Sequence, residues 1–157
     1  MTDEFIRRAT VTDVYDGDSI TVDIDLGFDV ILSQQKIRLS RIDTPEKQSN
    51  NTKRVFASEK AIAIEIQEWL KSILIGKTIY IKSLSTTSFN RLVGEVWVEI
   101  DDRTMHVNQY MIDHGLAREY FTEQNREEKW CLKWFNAGAK ALYLEWKESN
   151  TDDHLIT

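Results

Sequence analysis

The sequence predicts an α+β fold: a closed five-stranded β-barrel of the Greek-key OB type carrying three α-helices. Three observations lead there. The first 100 residues are dominated by short runs in which apolar and polar residues alternate, divided by turn signals. One helical period interrupts these runs after the third, and two more follow the fifth. Three strands, a helix, two strands and two helices is the order of a small closed barrel with a helix inserted midway.

Taken in order, Ala9–Tyr15 and Ser19–Ile24 flank Asp16-Gly17-Asp18, and Asp-Gly is a strong tight-turn signal. In the second strand Ile20, Val22 and Ile24 alternate with Thr21, Asp23 and Asp25, the pattern of a half-buried strand. Leu26–Gln35 reads as a longer hairpin loop around Gly27, with apolar Phe28, Val30, Ile31 and Leu32 in need of cover from the barrel or from a partner chain. Lys36–Ile42 reads as the third strand. The chain then leaves the sheet at Asp43-Thr44-Pro45-Glu46, which holds the only proline. Polar residues 47–54 read as a loop.

Val55–Leu74 carries apolar residues at 62, 66, 69, 70 and 73, a helical spacing, and Gly76 can end that helix. Lys77–Leu84 and Arg91–Ile100 read as the last two strands, joined by a loop at Ser85–Asn90, with Asp101-Asp102 closing the second of them. His106–Asp113 reads as a short helix capped by Gly115. Arg126–Lys147 reads as a long helix with an apolar stripe that includes Trp130, Trp134, Ala137 and Leu144. The expectation is one domain over residues 1–150 and a disordered tail over 151–157.

With 41% hydrophobic and 29% charged residues, a chain of 157 residues can bury an ordinary core, which argues against wholesale disorder. No stretch approaches the roughly 20 apolar residues of a membrane span, so no membrane partner is expected. Residues 1–15 hold no apolar stretch of signal-peptide type, which points to the cytoplasm unless a presequence has been removed. Cys131 is the only cysteine, so an intrachain disulfide and a cysteine zinc cage are excluded. A net charge of −6 argues against a broad basic footprint for nucleic acid, but the charge is unevenly spread. Residues 11–30 hold six Asp and no Lys or Arg, whereas residues 31–90 hold ten basic and five acidic residues. An acidic segment beside a basic one suits a site for a cation and a polyanion; a patchy solvated surface has the same composition.

Asp18 follows the first turn and Asp43 ends the third strand. If the strands are neighbours, the two carboxylates meet at one rim of the barrel, where hard divalent cations take such oxygen ligands. Each Asp is also what a turn or a strand exit favours. Arg38 sits mid-strand, where a half-buried guanidinium needs an anion: phosphate is a bidentate partner, and an internal carboxylate is the alternative. Arg91 opens a strand and invites the same two readings. Glu46 stands where it can orient or deprotonate a water, or simply face solvent. His106, His114 and His154 suit surface or capping roles, and Trp69, Trp130 and Trp134 suit the core.

Asp16-Gly17-Asp18, then Ile37-Arg38-Leu39 leading to Ile42-Asp43-Thr44-Pro45-Glu46, then Phe89-Asn90-Arg91, Val107-Asn108 and Gly115-Leu116-Ala117 together resemble the thermonuclease (staphylococcal nuclease-like) family. The likeness runs from about Thr10 to about Trp146. It implies a calcium-dependent phosphodiesterase acting on DNA and RNA and leaving 3′-phosphate ends. Asp18 and Asp43 would bind Ca2+ through carboxylates and Thr44 through its backbone carbonyl. Glu46 would act on the attacking water, while Arg38 and Arg91 would clamp the phosphate. The sequence departs from the family pattern at Ser19, Asn90, Ser88 and Phe89, the last two standing where a Lys and a Tyr commonly help to hold a nucleotide. The contrasting reading is a non-catalytic OB-type module for single-stranded nucleic acid or protein. Retention of all five charged site residues favours the enzyme. A monomer suffices, with the Leu26–Gln35 hairpin available for contacts.

Overall fold

A single ladder of strands, wrapped until its ends meet, makes the barrel. In the computed structural model, which describes residues 5–47, 55–86, 91–119 and 155–156, the chain order begins with β1 (Ile6–Asp16), β2 (Ser19–Gly27), β3 (Val30–Leu39), β4 (Ile42–Asp43) and β5 (Val55–Phe56). It continues through α1 (Ala57–Leu74), β6 (Thr78–Thr86), β7 (Leu92–Ile100), β8 (Arg103–His106), α2 (Val107–Asp113), β9 (Arg118–Glu119) and β10 (Leu155–Ile156). The main sheet runs β3-β2-β1-β6-β7-β8, and a parallel pairing of Ile37–Leu39 with Leu92–Gly94 joins β3 to β7. Closure between β3 and β7 gives the expected five-stranded barrel and removes its open edges. Small two-stranded pairings of β4 with β9 and of β5 with β10 complete the strands. The helix expected at Arg126–Lys147 lies outside the described residues, and so do Ser88, Phe89 and Asn90.

The alternating residues of the sheet fill the barrel. Val11, Val14, Ile20, Val22, Ile37, Leu39, Ile79, Val96 and Val98 are all buried, and Ile62, Ile66, Leu70 and Leu74 of α1 cover one opening. Gly76, at φ 71°, ends α1. After α2, Gly115 takes φ 69°, and its N–H bonds the Ile112 carbonyl at 3.1 Å while the Leu116 N–H bonds Met111 at 2.8 Å. That pair of bonds is a Schellman cap, which requires a residue that tolerates positive φ.

Two expectations need correction, and one strand was not expected. Leu26–Gln35 is not a loop: β2 runs to Gly27 and β3 starts at Val30, with Gly27 paired to Val30. Phe28 and Asp29 adopt φ 54° and 59°, the left-handed turn that matches strand twist, so the hairpin continues past the core. Its apolar side chains therefore stand in solvent, with Phe28 fully exposed and Ile31 57% exposed. The third strand ends at Leu39 rather than Ile42, because Arg41 turns the chain at φ 63° before β4. Asp101 and Asp102, at φ 50° and 61°, close β7 as expected, and they return the chain into β8 against β7, a strand the sequence did not signal.

Asn108 ties α2 to this barrel. It is fully buried, its Oδ1 accepts the Val96 N–H at 2.9 Å, and its Nδ2 donates to Ser40 O, Gly94 O and Glu95 Oε2 at 3.0, 3.2 and 2.8 Å. Glu95 in turn receives Arg41 at 2.6 Å. The turn between β3 and β4 is thus fixed from beneath by α2 and β7. Because truncation strands several buried polar groups, Asn108→Ala should lower unfolding free energy by about 3 kcal/mol, measured by urea denaturation.

Candidate functional site

The site begins at the turn between β1 and β2. The Asp18 N–H donates to Asp16 Oδ1 at 3.1 Å, so the Asp16 side chain builds its own turn. A Cβ on Gly17 would lie 2.9 Å from Cγ2 of both Ile66 and Thr44. The missing side chain is what lets the turn seat between α1 and the segment after β4. Asp18 is thereby buried at 7% exposure, with Ser19 Oγ donating to its Oδ1 at 3.1 Å and its carbonyl accepting the Leu39 N–H at 2.8 Å.

Two arginines reach the same turn. Arg38 Nη2 lies 3.3 Å from Asp18 Oδ2 and donates to Ile42 O at 2.8 Å, while Nη1 donates to Leu39 O at 2.9 Å. The guanidinium is held in one orientation by backbone of both β3 and β4. Arg91, just before β7, donates from Nη1 to Ser19 Oγ at 3.3 Å. Of the two readings left open for Arg38, the internal carboxylate is therefore occupied, and Asp18 is that carboxylate.

The electrostatics are those of crowded carboxylates. Burial, the Asp18 charge and hydrogen bond, and Glu46 together push the Asp16 carboxyl from 3.8 up to about 8. Burial also opposes ionisation of Asp18, yet the Arg38 guanidinium and hydrogen bonds from Asp16, Ser19 and Thr44 outweigh it and hold its pKa below the ordinary value. Thr44 is 2% exposed beside this pair. Asp43 is engaged differently: Arg118 Nε and Nη2 approach its Oδ2 at 2.8 and 2.7 Å, and β4 pairs with β9 at these same two residues.

Asp18, Arg38, Thr44 and Arg91 are thus joined by direct contacts or through Ser19, and Glu46 lies within the field of Asp16. Asp43 is adjacent to Thr44 but is bound to Arg118. Sequence reasoning passed over two members. Asp16 looked like a turn former, and it is one, but it also carries the excess proton of the cluster. Arg118 follows Gly115-Leu116-Ala117 directly, and no local pattern signalled its pairing with Asp43.

Among the described residues, no three His, Cys, Asp or Glu side chains converge in ligating geometry. The donor chemistry nevertheless fits a hard divalent cation: Asp16, Asp18 and Thr44 offer oxygen groups only, brought together at one buried turn. No helix among the described residues is long and apolar enough to cross a membrane.

A closed OB-type barrel with carboxylates and guanidiniums gathered at one turn defines a nuclease-like domain. The chain belongs to the staphylococcal nuclease homologue family, whose sequence profile matches residues 36–145. A protein of Komagataella phaffii named "Probable endonuclease LCL3" is 29% identical over 91 residues, which is 58% of this chain and 38% of that one. Its namesake in Vanderwaltozyma polyspora is 30% identical over 111 residues, 67% of this chain and 37% of that one. The matches therefore span well under half the length of these relatives. Among solved structures, the extended Tudor domain TD3 of mouse TDRD1, in complex with a MILI peptide containing dimethylarginine, gives a TM-score of 0.54. That superposition covers 77% of this chain and 96% of the other at 8% identity, a likeness of fold.

The raised Asp16 pKa has a definite sign. Between 3.8, its unfolded value, and about 8, the native protein holds a proton that the unfolded chain has released. The contribution of Asp16 to stability is complete below pH 4 and is lost as pH rises towards 8. In chelator, the melting temperature should therefore fall between pH 5 and pH 8, and Asp16→Asn should flatten that fall in differential scanning calorimetry.

Proposed function

We propose that the chain is a calcium-dependent phosphodiesterase that hydrolyses DNA and RNA with low sequence specificity and leaves 3′-phosphate ends. The observation that carries this reading is the meeting of Asp18, Arg38 and, through Ser19, Arg91 at one buried turn. Family membership supports the reaction class.

In this reading Asp18, Asp43 and the Thr44 carbonyl would hold the cation, which would supply positive charge to neutralise the phosphate. Glu46 orients a water and takes its proton as the oxygen attacks phosphorus. Arg38 and Arg91 stabilise the additional negative charge on the phosphoryl oxygens, and the 5′ oxygen departs. Arg38 needs no reorganisation for this role, because the Leu39 and Ile42 carbonyls already fix its plane. Arg118 neutralises Asp43, so that two full negative charges do not face the incoming phosphodiester.

Purified protein incubated with plasmid and with single-stranded DNA should degrade both in calcium and neither in chelator. Glu46→Gln and Arg91→Ala should each lower the rate by at least about 100-fold. Equal cleavage by the wild type and both variants would contradict this mechanism. Retained binding of single strands with no cleavage would instead make the domain a non-catalytic nucleic-acid-binding module.

A further inference from the structure

Beside the acidic turn lies an aromatic–cation pair that the proposed chemistry does not use. Tyr15 directly precedes Asp16, and Lys47 directly follows Glu46. The Lys47 ammonium sits 4.9 Å from the centroid of the Tyr15 ring and donates a hydrogen bond to the Tyr15 carbonyl. From α1, Gln67 Nε2 donates to the same carbonyl at 2.9 Å and to Val14 O at 3.1 Å. The backbone of Tyr15 is thus fastened from two sides, yet the residue is 65% exposed.

The strand itself sets this exposure. Along β1 the register with β2 shifts between Val14, paired with Ile20, and Asp16, paired with Ser19, leaving Tyr15 in a bulge with no partner of its own. A bulge re-aims one side chain, and bulges recur beside functional sites. Here it turns a large aromatic outward at the position next to the turn, where nothing in the core requires it. The two hydrogen bonds to the Tyr15 carbonyl fix where its exposed ring stands beside the turn.

We propose that Tyr15 and Lys47 form a nucleotide subsite, in which the Tyr15 ring stacks on a base next to the scissile phosphodiester and Lys47 pairs with the adjoining phosphate. The proposal rests on the nuclease reading for the position of that phosphodiester. The ammonium covers part of the ring by a cation–π contact, and the remaining exposed surface takes the base. Stacking on an aromatic ring is indifferent to base identity, which suits low sequence specificity. Lys47 adds a positive charge approaching from the β4–β5 connection, whereas Arg91 approaches from β7. A polyanion crossing the turn thus meets cations supplied by different elements, which offsets the local acidity.

The test compares the wild type with Tyr15→Ala, Tyr15→Phe and Lys47→Gln on a fluorescein-labelled thymidine 12-mer and on an abasic tetrahydrofuran strand of equal length, in calcium. Tyr15→Ala should raise KM about 10-fold on the thymidine strand with kcat within about 3-fold of wild type, and Tyr15→Phe should restore KM. On the abasic strand the KM of Tyr15→Ala should match wild type, which a merely structural role could not produce. Lys47→Gln should raise KM on both strands and reduce the salt dependence of binding by about one phosphate contact. Anisotropy with the same strands separates the two claims. If the wild type binds without cleaving, the nuclease reading fails, and the subsite still predicts the same 10-fold ratio in Kd on the thymidine strand. An unchanged KM or Kd in Tyr15→Ala on that strand, a loss confined to kcat, or an equal loss on the abasic strand overturns the subsite. Absence of any binding by the wild type overturns both.

Discussion

Buried carboxylates in close proximity repel one another, and the ion pair between Asp18 and Arg38 is what makes their assembly tolerable. Asp18 is nearly inaccessible to water, where an unpaired charge would cost several kcal/mol. The Arg38 guanidinium 3.3 Å away, together with hydrogen bonds from Ser19, Thr44 and Asp16, keeps it ionised. Asp16, with no cation paired to it among the described residues, accommodates the same crowding by holding a proton. The turn therefore contains one fixed carboxylate and one poised carboxyl. Their difference comes from which of them the arginine reaches.

That ion pair depends on the rest of the barrel. Arg38 is positioned because β3 lies between β2 and β7, and because the chain turns at Ser40–Arg41 to bring the Ile42 carbonyl onto Nη2. The turn is supported by Ser40 N–H bonding Gly94 O at 2.9 Å, by Arg41 pairing with Glu95, and by Asn108 beneath them. Arg41 adopts φ 63°, uncommon for a residue with a side chain, and its guanidinium contacts to Glu95 and Gln109 offset the conformational cost. The buried polar network below the site and the charged constellation within it are one continuous structure. Preorganised electrostatics require this rigidity, since donors that must move into place lose much of their advantage.

Much of this was legible in the residues. Period-two alternation at Ile20, Val22 and Ile24 reports burial directly, and Asp-Gly reports a turn. The spacing of Asp18, Arg38, Asp43, Glu46 and Arg91 is carried by a family pattern that survives in the sequence. What escaped has a common cause. Phe28–Asp29 and Asp101–Asp102 make left-handed turns without glycine at either position, so the strands beyond them gave no signal. The hairpin tip extends past the core, where alternation no longer maps onto burial. Arg118 meets Asp43 across 75 positions of sequence, and only the β4–β9 pairing brings them together. The excess proton on Asp16 is likewise a property of three-dimensional crowding.

In the proposed reaction this turn receives a divalent cation. Calorimetric titration with calcium at pH 7 tests it most directly. The wild-type protein should bind one calcium ion per chain. Asp18→Asn should abolish the binding. No calcium binding by the wild-type protein, or binding that Asp18→Asn leaves intact, would contradict the account.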